Sequence, residues 1–301
     1  MKAQLINTFR AHADQINTVV ILAEKHWIVT GSDDGLLKVW QLYQDDPLHI
    51  MQGDQHAICR IAAFPDVPFI VAGNQVGTLH VWNAGTGEPI RTMSEHEDAI
   101  TALTVTRDGQ HIISGSADGT LRVWDSTSGA LRQTMTDFTH EIVAITTSPD
   151  DSAIVVGENN PQQAPHRLSV WSLSAGQLLR EFDDIHHGVN FVRFASNGKQ
   201  VITGATEGDI TVWDWESGSI LRLIETHQGS AVTTLMPNTR YAVVGTQRPM
   251  LSIWSVENGR HVHTLDEPSA WVSSISVTDD GRHIIAGCHD GMLNVYQLMQ
   301  N

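Results

Sequence analysis

The chain repeats itself at a nearly constant period. Seven times a glycine is followed by the aromatic residue that ends an apolar run, in the pairs Gly31/Trp40, Gly73/Trp82, Gly115/Trp124, Gly157/Trp171, Gly204/Trp213, Gly245/Trp254 and Gly287/Tyr296. The two members lie nine residues apart in six copies and fourteen apart in the fourth, and each aromatic residue precedes the next glycine by 33 residues or, once, by 32. Such phased units of about 42 residues predict an architecture of equivalent modules that pack on one another.

Each unit contains a β-hairpin. In the third repeat, Ile113 to Ser116 is a short apolar run, Ala117-Asp118-Gly119 is a tight-turn signal, and Thr120 to Trp124 is a second β-rich run. We expect four strands in this repeat, near 100–105, 110–115, 120–124 and 130–135. A lone hairpin is only marginally stable, so the units must bury their faces on each other.

The repeat length and the Gly…Asp-Gly…Val-Trp pattern resemble the WD40 family, and Trp124-Asp125 and Trp213-Asp214 keep the dipeptide that gives the family its name. The resemblance covers residues 1–301. It implies an all-β fold, a seven-bladed β-propeller of four-stranded antiparallel blades around a central channel. Since no low-complexity linker divides the chain, we expect one domain, 1–301.

The two ends of the chain complement each other. Residues 4–12 resemble residues 89–96, the last strand of another repeat, whereas the seventh repeat stops shortly after Tyr296 without its outer strand. We therefore expect the N-terminal strand to pair into the last blade and close the ring, which leaves only short, protected sheet edges.

The resemblance also implies structural tetrads. In this family a His before the first strand, a Ser or Thr on the second, an Asp in the turn and the Trp form a hydrogen-bonded network that satisfies buried polar groups. Two repeats match throughout, with His12, Thr30, Asp34 and Trp40 in the first and His96, Ser114, Asp118 and Trp124 in the third. The network is expected to be incomplete in repeats 2, 4 and 6, where Ala72, Val156 and Val244 replace the Ser or Thr. Six of the sixteen histidines then belong to a structural position, namely His12, His56, His96, His140, His187 and His227.

The sequence lacks the signatures of common active sites. It has no nucleophile elbow, P-loop, zincin motif or dinucleotide fingerprint, and no structural zinc spacing. His186-His187 and His261-X-His263 could hold a metal weakly, but no third ligand is evident. No catalytic residue, cofactor or metal is therefore expected.

Charge and hydropathy limit the partners and the cellular location that we expect. The formal net charge of −16 repels phosphate backbones, so nucleic acid is not an expected partner. No apolar run approaches the ~20 residues of a membrane span, and the first residues lack the apolar core of a signal peptide. The two cysteines give no disulfide framework. We expect a cytoplasmic protein, with the nucleus also open, and a monomer by default.

Candidate binding residues lie on the face that carries the Asp-Gly turns, which we call the top face. Trp271 precedes the first strand of the seventh repeat, and an exposed aromatic residue there is a candidate hot spot for a partner. The alternative is that Trp271 fills the space left by a missing tetrad His, since Pro268 falls near that position. Candidates beside Trp271 are Arg248, Pro249 and Met250, which replace an Asp-Gly-Thr turn, and His289 in the next turn.

The fourth repeat carries five extra residues between Gly157 and Trp171. Because insertions in repeat proteins map to loops on one face, often the binding face, Gln162, Gln163 and His166 are further candidates; a neutral insertion is the alternative. Acidic residues on the top face would steer a basic or neutral peptide towards it, unless they are ordinary surface charge. They are Asp14, Asp54, Glu95, Glu97, Asp98, Asp137, Glu141, Asp183, Asp184, Asp266 and Glu267.

These patterns favour a non-catalytic module, a scaffold or adaptor that binds a protein or peptide through its top-face loops. One alternative is a sensor or regulatory domain of a larger signalling protein. Another is a hydrolase that uses the channel mouth, with His186 and Asp184 as the residues to test.

Overall fold

The computed structural model is a ring of seven four-stranded antiparallel sheets, which we number as blades 1–7. It describes residues 2–22, 26–159, 166–182, 185, 188–227, 229, 231–246, 248–265, 268 and 270–299, and it has no helix within these ranges. The all-β, seven-bladed propeller that the repeats predict is therefore confirmed.

Strands are numbered in chain order, and each blade places them in the same sequence from the ring axis outwards. The inner strands are β2 (Ile16–Leu22), β6 (Ile58–Ala63), β10 (Ile100–Val105), β14 (Glu141–Thr147), β18 (Val189–Phe194), β22 (Ala231–Leu235) and β26 (Val272–Val277). The second strands are β3 (Trp27–Ser32), β7 (Phe69–Asn74), β11 (His111–Ser116), β15 (Ala153–Asn159), β19 (Gln200–Ala205), β23 (Tyr241–Thr246) and β27 (His283–Cys288).

The remaining strands complete the blades. The third strands are β4 (Leu36–Gln41), β8 (Leu79–Asn83), β12 (Leu121–Asp125), β16 (Arg167–Ser172), β20 (Ile210–Asp214), β24 (Leu251–Ser255) and β28 (Met292–Met299). The outer strands are β5 (His49–Gln52), β9 (Glu88–Met93), β13 (Leu131–Met135), β17 (Leu178–Glu181), β21 (Ile220–Ile224), β25 (His261–Leu265) and, for blade 7, β1 (Lys2–Arg10).

The ring closes within blade 7. Strand β1 pairs antiparallel with β28, from Lys2 opposite Met299 to Arg10 opposite Met292, with a bulge between Leu5 and Asn7. Inner strands of neighbouring blades contact each other around the whole circle, including β2 with β26. The expected pairing of the N-terminal strand into the last blade is confirmed.

The repeated glycine makes room for the next blade. It lies in the second strand, and a Cβ added at Gly31 would come within 2.6 Å of Ile58 Cγ2 on the inner strand of blade 2. A Cβ at Gly287 of blade 7 would likewise meet Ile16 Cγ2 of blade 1 at 2.6 Å, so the same close approach seals the ring. The nearest side chain also belongs to the next blade at Gly73, Gly115, Gly157, Gly204 and Gly245. Only a residue without a side chain allows this approach.

The hydrophobic core lies between the blades. The repeated aromatic residues fill it, as Trp40 does at the junction of blades 7 and 1, where it packs in one cluster with Ile285 and Leu293. Within the described part of the chain, no helix is long and apolar enough to cross a membrane.

Candidate functional site

Two polar networks support the top face, one in blade 1 and one in blade 3. In blade 1, His12 Nδ1 lies 2.9 Å from Asp34 Oδ2 and His12 Nε2 lies 2.7 Å from Thr30 Oγ1. The indole Nε1 of Trp40 donates to the same Thr30 oxygen at 2.9 Å, and the backbone amide of Ala13 donates to Asp34. The network thus ties the loop before the inner strand to the turn between the second and third strands.

Blade 3 repeats this geometry. His96 Nδ1 lies 2.8 Å from Asp118 Oδ2, His96 Nε2 lies 2.8 Å from Ser114 Oγ, and Trp124 Nε1 donates to Ser114 Oγ at 2.9 Å. Both histidine side chains are fully buried. These buried, fully hydrogen-bonded groups are structural, and they hold the loops that form the top surface.

Burial controls the charge of these networks. It lowers the pKa of His12 and of His96 below the ordinary value, although the neighbouring carboxylate of each raises it. Burial alone would raise the pKa of Asp34, but hydrogen bonds from His12 and from two backbone amides outweigh it and lower that pKa to about 2. A neutral imidazole beside an ionised carboxylate is the state that this environment favours.

Other blades satisfy the same positions with different residues. In blade 4, the fully buried carboxylate of Glu158 accepts from the backbone amides of Thr139 and His140 and from Arg167 Nη1 at 3.2 Å. In blade 2, Asn74 Nδ2 donates to Asp54 Oδ2 at 2.8 Å, which fastens the equivalent loop. The sequence pattern missed these substitutes, since Glu158 and Asn74 lie at the end of the second strand rather than at the Asp position of the turn.

The acceptor for the indole also moves. Ser169 Oγ accepts from Trp171 Nε1 at 2.8 Å, and Ser252 Oγ accepts from Trp254 Nε1 at 2.9 Å. Each serine lies on the third strand, two residues before its tryptophan, whereas Thr203 of blade 5 keeps the position on the second strand. The Ser-X-Trp spacing was the available signal.

The other histidines of the repeated position are less buried. His56 and His140 are half-buried, and the side chain of His227 is 80% exposed. His187 lies outside the described residues. Within those residues, no three His, Cys, Asp or Glu side chains are grouped as a metal site would require. His261 Nε2 instead lies 2.8 Å from Thr264 Oγ1, and its ring packs against Trp254.

Trp271 is the most prominent apolar group of the top face. Its side chain is 48% exposed, and its ring meets the His289 ring edge-on, with 5.3 Å between the ring centroids. The amide of His289 donates to the carbonyl oxygen of Trp271 at 2.9 Å, which fixes both residues relative to the blade 7 sheet. Pro268 is buried. About half of the Trp271 side chain is therefore accessible to a partner.

The neighbouring blade presents the second group of candidates. Arg248 and Pro249 are exposed, and Met250 is half-buried, in the turn between β23 and β24. The amide of Met250 donates to the carbonyl of Arg248 at 2.6 Å, and Thr246 Oγ1 donates to the same carbonyl at 2.8 Å. This turn lies at the same end of its blade as Trp271 and His289 do in theirs. The structure thus brings Trp271 and His289 into contact and places Arg248 to Met250 on the same face, one blade away.

The insertion in the fourth repeat lies elsewhere on the ring. His166 is half-buried just before β16, three blades from blade 7, and Gln162 and Gln163 lie outside the described residues. His166 is therefore not part of the surface around Trp271.

Acidic side chains surround the top of blades 1–4. Six of those predicted from the sequence are exposed, namely Asp14, Asp54, Glu95, Glu97, Asp98 and Asp137, and Glu141 is half-buried. Asp183, Asp184, Asp266 and Glu267 lie outside the described residues. The described top face is acidic over blades 1–4, whereas blades 6 and 7 present Trp271, Arg248 and His289.

Comparison with known proteins agrees with the architecture. The family model described as WD domain, G-beta repeat matches residues 3–41, 87–125, 176–214 and 259–297, just over half of the chain. The chain is 22% identical to "Protein LST8 homolog" of Drosophila melanogaster, over 39% of this chain and 38% of that protein. It is 24% identical to "WD repeat-containing protein 55 homolog" of Dictyostelium discoideum, over 44% of this chain and 33% of that protein.

A third relative is "Target of rapamycin complex subunit wat1" of Schizosaccharomyces pombe, with 26% identity over 46% of this chain and 44% of that protein. The aligned part spans less than half the length of each of these relatives.

Proposed function

The chain belongs to the WD40 family, and from this premise we propose that it is a non-catalytic interaction module that binds a protein or peptide through the top face of blades 6 and 7. The observation that carries the proposal is the exposed ring of Trp271, held in place by His289. We name the surface formed by Trp271, His289 and Arg248–Met250 the Trp271 surface.

The Trp271 surface has the composition of a binding hot spot. Hot spots are enriched in Trp and Arg, and they consist of a few anchors surrounded by groups that exclude water. Trp271 supplies a rigid apolar anchor, because its backbone is fixed by the hydrogen bond to His289. Arg248 supplies an exposed guanidinium with hydrogen-bond donors on the neighbouring turn. An apolar or aromatic partner residue would cover the indole ring, and a partner carbonyl or carboxylate would reach Arg248.

The charge of the rest of the top face suggests which charge the flanking residues of the partner carry. Exposed carboxylates over blades 1–4 would attract basic residues that flank the apolar anchor. Such steering acts mainly on the association rate, and salt screens it over about 8–10 Å. We therefore propose a peptide segment with an apolar centre and basic or neutral flanks.

A displayed peptide library tests the proposal. Wild-type protein, Trp271→Ala/Arg248→Ala and the control Leu221→Ala are screened in parallel against peptides with an apolar centre and basic, neutral or acidic flanks. Leu221 is equally exposed, at 50%, but lies on the outer strand of blade 5. We expect the double variant to lose at least about tenfold in affinity for selected peptides, while the control binds like wild type. Equal binding by all three proteins contradicts the Trp271 surface.

A regulatory domain within a larger assembly is the second candidate. Its support is that two of the similar proteins are called a "Target of rapamycin complex subunit". Size-exclusion chromatography of the protein captured at natural abundance from its source cells would distinguish the two. A stable large complex that survives Trp271→Ala would favour a subunit held by other surfaces.

A further inference from the structure

The inner strands carry more positive than negative charge, unlike the molecule as a whole. The chain has 34 acidic residues against 18 Lys and Arg. Yet the charged residues on the described inner strands are Arg60 on β6, Glu141 on β14 and Arg193 on β18. Because the inner strands enclose the central channel, two of the three charged residues on its described wall strands are cationic.

Arg193 is exposed to water but enclosed by protein. Its neighbour Val192 is buried, and Phe194 packs its ring against Trp215 at 4.7 Å between centroids. Burial lowers the pKa of Arg193, whereas the more distant charge of Asp279 raises it. Val192 and Phe194 pack in one apolar cluster, and side chains alternate along a strand, so Arg193 points away from that cluster. On an inner strand, an exposed side chain with this direction borders the central channel.

The guanidinium of Arg193 has no protein partner in the described part of the chain. The ion pairs of the described arginines join Arg122, Arg132, Arg167 and Arg282 to carboxylates, but not Arg193. A guanidinium carries five N–H donors in a planar fork. In the channel these donors are left for water or for a ligand that accepts hydrogen bonds.

Hydroxyl groups lie at the same level of the channel. Arg193 is two residues beyond Phe191, which pairs with Gly204 of the second strand. The same position relative to the repeated glycine is held by Thr104, Thr146 and Ser276 in blades 3, 4 and 7, and by the buried Thr234 in blade 6. The side chains of Thr104, Thr146 and Ser276 are half-buried, and within the described residues their three hydroxyls have no hydrogen-bond partner. This level of the channel therefore combines one free guanidinium with three free hydroxyls.

Arg60 adds positive charge nearer to the top face. It pairs with Gly73, so it lies two residues above the level of Arg193, which corresponds to about 6–7 Å along the channel. Its Nη1 donates to the carbonyl of Cys59 at 2.8 Å, and it has no ion pair within the described residues. Glu141 on blade 4 attracts it, and burial raises the pKa of that carboxyl group.

We propose that the central channel binds a phosphate group at the level of Arg193, with Thr104, Thr146 and Ser276 as hydroxyl donors and Arg60 as a second positive charge above it. The guanidinium fork matches two phosphate oxygens, and its charge acts more strongly in an enclosed channel than in open water. The site is separate from the Trp271 surface. The phosphate group comes either from free inorganic phosphate or from a phosphorylated side chain that enters the channel.

Calorimetric titration at constant ionic strength tests the site. Inorganic phosphate is titrated into wild-type protein, Arg193→Gln, Arg60→Gln and the control Arg240→Gln, whose exposed arginine lies in the turn between β22 and β23 of blade 6. We expect saturable binding by wild type and by the control, a loss of at least about tenfold in Arg193→Gln, and a smaller loss in Arg60→Gln. No saturable binding, or equal affinity of wild type and Arg193→Gln, overturns the proposal.

Two additions keep the result decisive. If Arg193→Gln does not fold, Thr104→Ala/Ser276→Ala removes hydroxyls without changing the charge, and an unchanged affinity of that variant counts against the site. A phosphoserine peptide and its unphosphorylated form then identify the source, because a side-chain ligand predicts that only the phosphorylated peptide competes with phosphate. Trp271→Ala is expected to bind phosphate like wild type, which separates this site from the proposed partner surface.

Discussion

In blades 1 and 3 one neutral tautomer of the histidine satisfies every member of the network. If Nδ1 of His12 carries the proton, it donates to Asp34, and Nε2 accepts from the Thr30 hydroxyl. The Thr30 oxygen is then free to accept from the Trp40 indole. Protonation of Nε2 would place a second donor against a hydroxyl that already donates to it, and this conflict adds to the burial that lowers the pKa of His12.

The stability of the ring should therefore fall in acid. The unfolded chain takes up protons on His12 and His96 as the pH falls below their ordinary pKa of 6.5, but the folded chain resists. At lower pH, Asp34 loses a further contribution of about 2 kcal/mol between its ordinary pKa of 3.8 and its folded value of about 2. Urea unfolding at a series of pH values measures the effect.

Two histidine variants test whether the tetrads cause this loss of stability in acid. His12→Gln/His96→Gln should be less stable near neutral pH but should show a flatter decline just below pH 6.5. His227→Gln serves as the control because the side chain of His227 is 80% exposed. If the double variant declines as steeply as wild type, the tetrads are not the source.

The tetrads show what can be predicted residue by residue. Repeats 1 and 3 place their His, Ser or Thr, Asp and Trp at the expected positions, and the structure joins them by hydrogen bonds. Glu158 and Ser252 accept the equivalent hydrogen bonds, from a loop amide and from an indole, at other positions of their repeats. Side chains of different length can reach one point in space from different strands, so comparison at a fixed sequence position does not find them.

At the scale of the strand, the close approach of neighbouring blades depends on glycine. A Cβ added at Gly115 would collide with Ile142 Cγ2 of the next inner strand. It would also lie only 2.9 Å from the Cβ atom of Ile142. We expect Gly115→Ala to cost about 1–3 kcal/mol in the free energy of unfolding, because the inner strand of blade 4 must shift.

Gly85→Ala is the matched control for this prediction. A Cβ there would lie 3.1 Å from Asn83 Oδ1, the end of a side chain in a surface turn, and 3.6 Å from Trp27. We expect a change within about 0.5 kcal/mol. Chemical denaturation of both variants makes the comparison, and an equal effect of the two substitutions would show that contact between blades is not limiting.

Strands were more predictable than surfaces. The expected strands of the third repeat agree within one residue with β10, β11, β12 and β13, because alternating apolar residues and turn residues recur in every copy. The surface around Trp271 could be placed on the top face from the repeat phase. That Trp271 is exposed and Pro268 is buried is a result of tertiary packing, which no local pattern encodes.

At the scale of the whole molecule, the ring has no terminal blade. Each inner strand contacts the inner strands on both sides, and the junction of blades 7 and 1 is sealed by Val19 N donating to Ser274 Oγ at 2.9 Å and by the core around Trp40. Opening any one junction would expose two apolar faces at once. The pairing of β1 with β28 keeps this junction closed, because it completes the last blade.

Removal of residues 1–11 should therefore destabilise the entire ring and not just one edge. The deletion leaves β28 with an unpaired edge and takes away Phe9, whose ring lies 5.1 Å from that of Trp40 across the junction. We expect a single cooperative transition at a lower melting temperature, measured by circular dichroism and calorimetry. The sharpest control is a permuted chain that begins at residue 12 and carries residues 1–11 after residue 301, through a short Gly-Ser linker. In this permuted chain the linker joins β28 to β1, just as a turn joins the third and outer strands in the other blades. It should therefore melt close to wild type. A deletion variant as stable as wild type, or a permuted chain as unstable as the deletion, would show that the ring does not depend on this strand.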